Sequence, residues 1–194
     1  MPETSESNFS SEITGRLRAA LSPHPINIRT AVEDDAATLA ALAERTFRDT
    51  FARDNSAADM DAYVALQFSE DRQRRELHDP KCFTLLVESA TDLIGYAQLR
   101  ASGDAPSGAA GASIELQRFY VEAVHHGTGI AHSLMRECLA AAAKRGFTWI
   151  WLGVWERNQR AIAFYHKLGF TDSGSQPFAL GSDLQTDRIM SRSV

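Results

Sequence analysis

The sequence predicts a mixed α/β domain. Three observations point there: two apolar, β-branched-rich runs joined by a short turn, helical periodicity over residues 33–50, and a strand–helix–strand pattern across Ser113–Val154. No segment repeats. A chain of 194 residues is long enough for one domain with a substantial core and short for two.

Residues 1–25 are rich in Ser and Glu and end in Ser22-Pro23-His24-Pro25, which reads as a mobile extension with a short helix over Glu12–Leu21. The globular domain is expected over residues 26–194. Ile26, Ile28 and Thr30 make a short strand. Leu39, Leu42, Ala43, Thr46, Phe47 and Phe51 recur at helical spacing, predicting a helix from Glu33 to Thr50. A second helical stretch carries Met60, Tyr63, Val64, Phe68 and Leu77 and stops at Asp79-Pro80, because proline ends the pattern.

Cys82–Glu88 and Leu93–Arg100 read as a hairpin turning at Ser89–Asp92, and the glycine-containing stretch Ala101–Ala112 as a loop. Ser113–Glu122 is a strand that leads through a glycine-containing turn into a helix. There Ile130, Leu134 and Cys138 form one row, and Lys144-Arg145-Gly146 closes the helix. Trp149–Trp155 is nearly all apolar, as expected of a strand covered on both faces. Asn158 caps a helix whose Ala161, Phe164, Tyr165 and Leu168 share one side and which ends at Gly169. Two short strands, about Phe170–Phe178 and Gln185–Met190, finish the chain.

Bulk properties are ordinary: 44% apolar, 23% charged, formal net charge −5. That charge argues against nucleic acid or an anionic membrane surface as partner, and no run of about 18 apolar residues exists to span a bilayer. Cys82 and Cys138 fall in apolar patterns and read as buried, reduced thiols of a cytoplasmic protein.

The most informative segment is Phe119–Ala131. A helix N-terminus leaves about four N–H groups unpaired and carries roughly half a positive charge. Gly127 and Gly129 just before it let a phosphate approach the main chain without meeting a Cβ. A P-loop would place Lys and then Ser or Thr where Ile130 and Ala131 stand. A dinucleotide-binding turn would need a small residue at His132. Both alternatives fail on spacing. A lone Gly-x-Gly remains a weak signal, since the same turn serves where no ligand binds.

His126-Gly127-Thr128-Gly129-Ile130-Ala131 resembles the acyl-CoA motif of the GNAT acetyltransferases, Arg/Gln-x-x-Gly-x-Gly/Ala, and Asn158 through Phe170 resembles that family's second hallmark. The resemblance covers about residues 26–192. It implies a mostly antiparallel central sheet of six or seven strands with a parallel central pair, flanked by about four helices. His126 stands where the family usually has Arg or Gln. Because the motif works mainly through backbone donors, this implies an altered affinity for CoA and not its loss. Thr46–Phe51, Trp151–Glu156 and Gln185-Thr186-Asp187 look like the bacterial polyamine N-acetyltransferase branch related to the PaiA protein.

The resemblance implies that acetyl-CoA, with no metal, is the co-substrate of an N-acetyltransferase acting on a primary amine, a polyamine or another small cationic amine. A protein or peptide acetyltransferase and a non-catalytic acyl-CoA-binding regulator are the alternatives. Amine acetylation needs a group to take the ammonium proton, a donor for the developing oxyanion and an acid near the departing thiolate. Tyr165 matches the family's acid; read from periodicity alone it is simply an inward residue of its helix. The resemblance further assigns Phe119, Tyr120 and Val121 main-chain groups to the pantetheine arm, and His126, Gly127, Thr128, Gly129, Ile130 and Ala131 to the pyrophosphate. Asn158 and Lys167 match further cofactor contacts, although the first can be only a cap and the second only a solvated charge. For the base, Glu115 lies on the strand leading to the cradle, and Glu122 and a water molecule are competitors. Asp49, Asp54 and Asp59 fall where acceptor pockets of such enzymes form. Trp149, Trp151 and Trp155 alternate onto one strand face, where packing against a helix is the expected role. Adjacent His125 and His126 point apart and lack ligand-spaced partners, so no metal is expected. Oligomeric state stays open, homodimers being common in similar proteins.

Overall fold

The computed structural model describes residues 26–90, 92–101 and 111–194. The expected extension over residues 1–25 and most of the loop Ala101–Ala112 lie outside the described residues. Within them, seven strands form one sheet in the order β1-β2-β3-β4-β5-β7-β6. The strands are β1 (Ile26–Thr30), β2 (Cys82–Ser89), β3 (Asp92–Arg100), β4 (Ser113–Val121), β5 (Trp149–Trp155), β6 (Thr171–Leu180) and β7 (Asp183–Ser193). Every neighbouring pair is antiparallel except β4 and β5. The mixed, mostly antiparallel sheet with a central parallel pair is thus as expected.

The helices are α1 (Ala36–Phe51), α2 (Ala57–Gln67), α3 (Glu70–His78), α4 (Ile130–Lys144) and α5 (Gln159–Lys167). Five helices stand where about four were expected, because the second helical stretch is divided. Ser69 leaves helical geometry and its hydroxyl caps Arg72 N at 3.4 Å, starting α3 afresh after Phe68. Residues 33–35 form a 3-10 turn ahead of α1. β6 and β7 are longer than their apolar patterns suggested, because β7 gains a partner on each side.

Strand alternation sends side chains to two cores. Ile94, Ala97, Leu152 and Val154 meet Leu134, Met135, Cys138 and Ile162 of α4 and α5 on one face. Leu86, Leu93 and Tyr96 meet Leu39, Leu42, Phe47 and Met60 of α1 and α2 on the other. Each fully buried Leu contributes about 1.5–3 kcal/mol. Both cysteines are free and buried, and burial pushes the Cys82 thiol to about 11.

Two features of β4 position the site. Its pairing with β3 skips Gln117, a bulge that swaps which face the following residues meet. Ile114 and Leu116 before the bulge, and Phe119 and Val121 after it, consequently share the α4–α5 face, while Arg118 and Tyr120 turn toward α1–α3. The parallel register with β5 covers just Ser113↔Trp149, Ile114↔Ile150 and Glu115↔Trp151. Past those pairs β4 stays with β3 and β5 with β7, so the two strands part.

Candidate active site in the parted strands

A cleft of about 440 Å³ opens where β4 and β5 separate. Glu115, Phe119, Tyr120 and Val121 line it from β4, Gly153 and Trp155 from β5, and Asn158, Arg160 and Tyr165 from the α5 region. His126, Gly127 and Ala131 border one end, and Phe47, Phe51, Tyr63, Phe178, Gln185 and Asp187 enclose the other.

The loop end is a set of free donors. The N–H groups of Gly127, Thr128, Gly129, Ile130, Ala131 and His132 have no hydrogen-bond partner among the described residues, and the first amide used in α4 is Ser133 N, to Gly129 O at 3.1 Å. Gly127 and Gly129 have φ of 79° and 90°, and a Cβ on either would meet nothing within 4 Å. Glycine is therefore required by the left-handed backbone, and the space before the donors is open. Thr128 Oγ1 donates to His125 O at 2.7 Å and holds the turn. Thr128 and Gly129 are exposed, and Ile130 is buried in the α4 core.

His126 Nε2 lies 2.8 Å from Val121 O, so that nitrogen carries the hydrogen and Nδ1 accepts. Arg160 NH1 meets that Nδ1. The histidine thereby seats an arginine at the mouth of the cleft, close to where the motif would have carried its own cation. Val121 O is occupied by this contact.

Tyr165 is 8% exposed and packs edge-on against Phe119 (6.3 Å between centroids) and Phe170 (5.6 Å). Burial drives its phenol well above the ordinary value, keeping it a neutral donor. Asn158 Oδ1 accepts Ala161 N at 3.1 Å as the helix cap. Lys167 is exposed in the last turn of α5 and is not brought into the cleft. Burial raises the Glu115 carboxyl, with Arg100 opposing. Glu122, its competitor, is held by Arg45 at 2.6 Å. Among the described residues no three His, Cys, Asp or Glu side chains converge as a metal site would require.

Arg118 lines the cleft and forms an ion pair of 2.5 Å with Glu76 behind it, at 8% and 4% side-chain exposure. Arg72 (2.6 Å) and Gln98 (3.0 Å) also bond Glu76, and Arg118 NH2 reaches Gln67 O at 3.3 Å. Burial opposes the ionised Glu76, yet Arg118 and these donors bring its carboxyl below the usual range.

The acceptor end departs from the sequence reading. Asp49 and Asp54 are exposed and outside the cleft, and Asp59 accepts Ser182 N at 2.8 Å, pinning the β6–β7 turn. Trp155 does meet α1, through Phe51 at 5.8 Å, and it also walls the cleft. In the sequence Asp187 marks lineage alone; in the fold it lines the cleft. Burial lifts its carboxyl to about 6. The available signals were the alternation that puts Gln185 and Asp187 on one strand face and the lone glycine inside the apolar run Trp149–Trp155.

The model of the acetyltransferase (GNAT) family matches residues 41–170. An uncharacterized N-acetyltransferase of Mycobacterium tuberculosis is 35% identical over 160 residues, covering 82% of this chain and 98% of that protein. Another, from the pepI 3′ region of Lactobacillus delbrueckii subsp. lactis, is 29% identical over 166 residues, covering 84% and 94%. Among solved structures, the PaiA N-acetyltransferase of Thermoplasma acidophilum in complex with coenzyme A superposes with a TM-score of 0.71 at 23% identity, covering 88% of this chain and 99% of that one. The putative acetyltransferase yncA of Salmonella typhimurium, with its cofactor acetyl-CoA, gives 0.60 at 21% identity, over 87% and 94%. These structural likenesses speak for the fold. With the family match spanning 41–170 of 194 residues and a relative aligned almost end to end, the chain belongs to the GNAT family of acetyltransferases.

Proposed function

We propose that this acetyltransferase moves an acetyl group directly from acetyl-CoA to a primary amine, a small cationic amine of the polyamine kind. One observation carries the reading: six successive N–H groups, Gly127 to His132, stand without partners among the described residues, in a turn whose Gly127 and Ala131 border a cleft that runs between parted strands to Tyr165.

Those donors, backed by the α4 dipole, suit the two linked phosphates of CoA, and the absence of Cβ atoms at Gly127 and Gly129 leaves their approach clear. Arg160, seated by His126, adds a full positive charge beside them. Beyond Glu115 the β4 edge has lost its strand partner; the Tyr120 main chain still faces Tyr96 of β3, so the main-chain groups of Phe119 and the N–H of Val121 are the ones available to pair with the amides of a pantetheine arm. Acetyl-CoA, once bound, supplies the activated thioester. Tyr165 then acts on the leaving sulfur. A phenol raised by burial holds its proton more tightly than a thiol does, so Tyr165 stabilises the sulfur by donating a hydrogen bond, and solvent supplies the proton finally kept there. Glu115, at the apex where the strands part, accepts the ammonium proton directly or through water. Neither cysteine serves as a covalent relay, both thiols being buried.

Isothermal titration with CoA tests the reading. Saturable binding in the micromolar to millimolar range is expected. No binding at millimolar CoA refutes it. Thiol release from acetyl-CoA across a panel of amines and peptides then identifies the acceptor class.

A further inference from the structure

Resting on that function, the structure assigns Asp187, with Gln185 beside it and aromatic rings around it, as the anion that receives an alkylammonium group of the acceptor. Strand alternation on β7 puts Gln185 and Asp187 on the same face, and both line the cleft. Asp187 sits in register between Gln176 of β6 and Trp155 of β5. No hydrogen bond or ion pair joins its carboxylate to any described residue, unlike Asp59, Asp79 and Glu76, which are all engaged.

Gln185 adds a second acceptor. Its Nε2 donates to Asn55 Oδ1 and to Asp183 Oδ2, both at 2.8 Å, which fixes the amide's orientation. Its Oε1 is buried with no hydrogen-bond partner among the described residues. A buried acceptor without a donor costs about 1–3 kcal/mol, and an ammonium N–H would satisfy it.

Room for the Asp187 carboxylate comes from Gly153. A Cβ there would stand 3.0 Å from Asp187 Oδ2 and 3.1 Å from Gln176 Nε2. The missing side chain in an otherwise bulky strand leaves Asp187 its place on the cleft wall. Aromatic rings close the surroundings: Phe51 lies 5.8 Å from Trp155, Phe47 4.8 Å from Tyr63, and Tyr63 5.7 Å from Phe178. Burial raises the Tyr63 phenol, the Arg118 charge opposes the rise and the Asp187 charge adds to it. An unpaired carboxylate beside aromatic rings binds a compact cation on a methylene stem and disfavours an anionic or neutral head group.

The test compares wild type with Asp187→Asn and Asp187→Glu, using 1,4-diaminobutane as probe. Calorimetry on the free chain and on the chain saturated with CoA measures diamine binding without turnover. Asp187→Asn is expected to weaken diamine binding at least tenfold and to leave the CoA dissociation constant within twofold. Asp187→Glu, which keeps the charge, is expected to retain most of the diamine affinity. In steady state the KM for diamine rises at least tenfold while kcat stays within threefold. Equal diamine binding by wild type and Asp187→Asn, no binding by wild type, or a fall in kcat at unchanged KM overturns the assignment. Failure to bind CoA is a separate result that defeats the acetyl-transfer reading instead.

Discussion

Asp187→Asn also has a consequence for stability that can be worked from the fold. The carboxyl titrates at about 6 in the folded chain against 3.8 for the unperturbed group, and the cause is burial. For an acid raised in this way, the folded state binds the proton more tightly than the unfolded state. The charge therefore opposes folding: not at all below about pH 4, progressively between 4 and 6, and fully above 6. A shift of this size corresponds to about 3 kcal/mol if taken whole. Asp187 is partly open to solvent, and screening reduces the figure to about 1–2 kcal/mol. The isosteric amide removes the charge, so Asp187→Asn is expected to be more stable than wild type by that amount at pH 7.5. For a chain of this length the melting temperature rises by about 3–6 °C. The other titratable groups of the cleft, Tyr63, Glu115, Arg118, Tyr120, His125, His126, Arg160 and Tyr165, are common to both proteins and cancel in the difference. Thermal unfolding of both proteins by circular dichroism, from pH 4 to 8, reads the effect. A variant less stable than wild type at pH 7.5, or a difference that does not shrink toward pH 4, refutes the reasoning and points to a partner that Asp187 holds within the fold.

Tyr165→Phe keeps the ring packing against Phe119 and Phe170 and removes the donor, so kcat is expected to fall about 100-fold with acetyl-CoA affinity within twofold; steady-state kinetics beside CoA titration separates the two. Arg160→Ala removes the cation at the cradle mouth and is expected to weaken CoA binding about fivefold at low salt, the loss shrinking as ionic strength rises. Glu76→Gln leaves Arg118 buried without its counter-ion and is expected to cost about 3 kcal/mol in urea unfolding.

How much of this was legible in the sequence follows the range of the interactions involved. The cradle and the Asn158 cap are set by a few neighbouring residues, and Gly127, Gly129 and Asn158 announce them directly. The hairpin β2–β3 is as local. What escaped the sequence depends on partners far along the chain. The break at Ser69 hides inside an unbroken apolar period, since a single cap outweighs the pattern just where Phe68 leaves helical geometry. The bulge at Gln117 exists only relative to β3. Asp187 becomes a cleft residue because β7 inserts between β5 and β6, which sets residue 187 against residues 153, 155 and 176. Alternation showed which residues of β7 share a side, and no local signal showed what that side would face. The three aspartates near α1 and α2 misled for the same reason: two stay exposed, and the third found a backbone amide in the β6–β7 turn.

The short parallel register also bears on how the molecule comes apart. Three residue pairs join strands β1–β4 to strands β5–β7, so the sheet is two leaves with a narrow hinge line. A ligand lying in the gap and bonded to both leaves would work as a clasp. The core around Leu134 and Ile162 still joins the two leaves from one face, so the effect falls on the hinge line: hydrogen exchange at amides of β4 and β5 should slow together on ligand saturation.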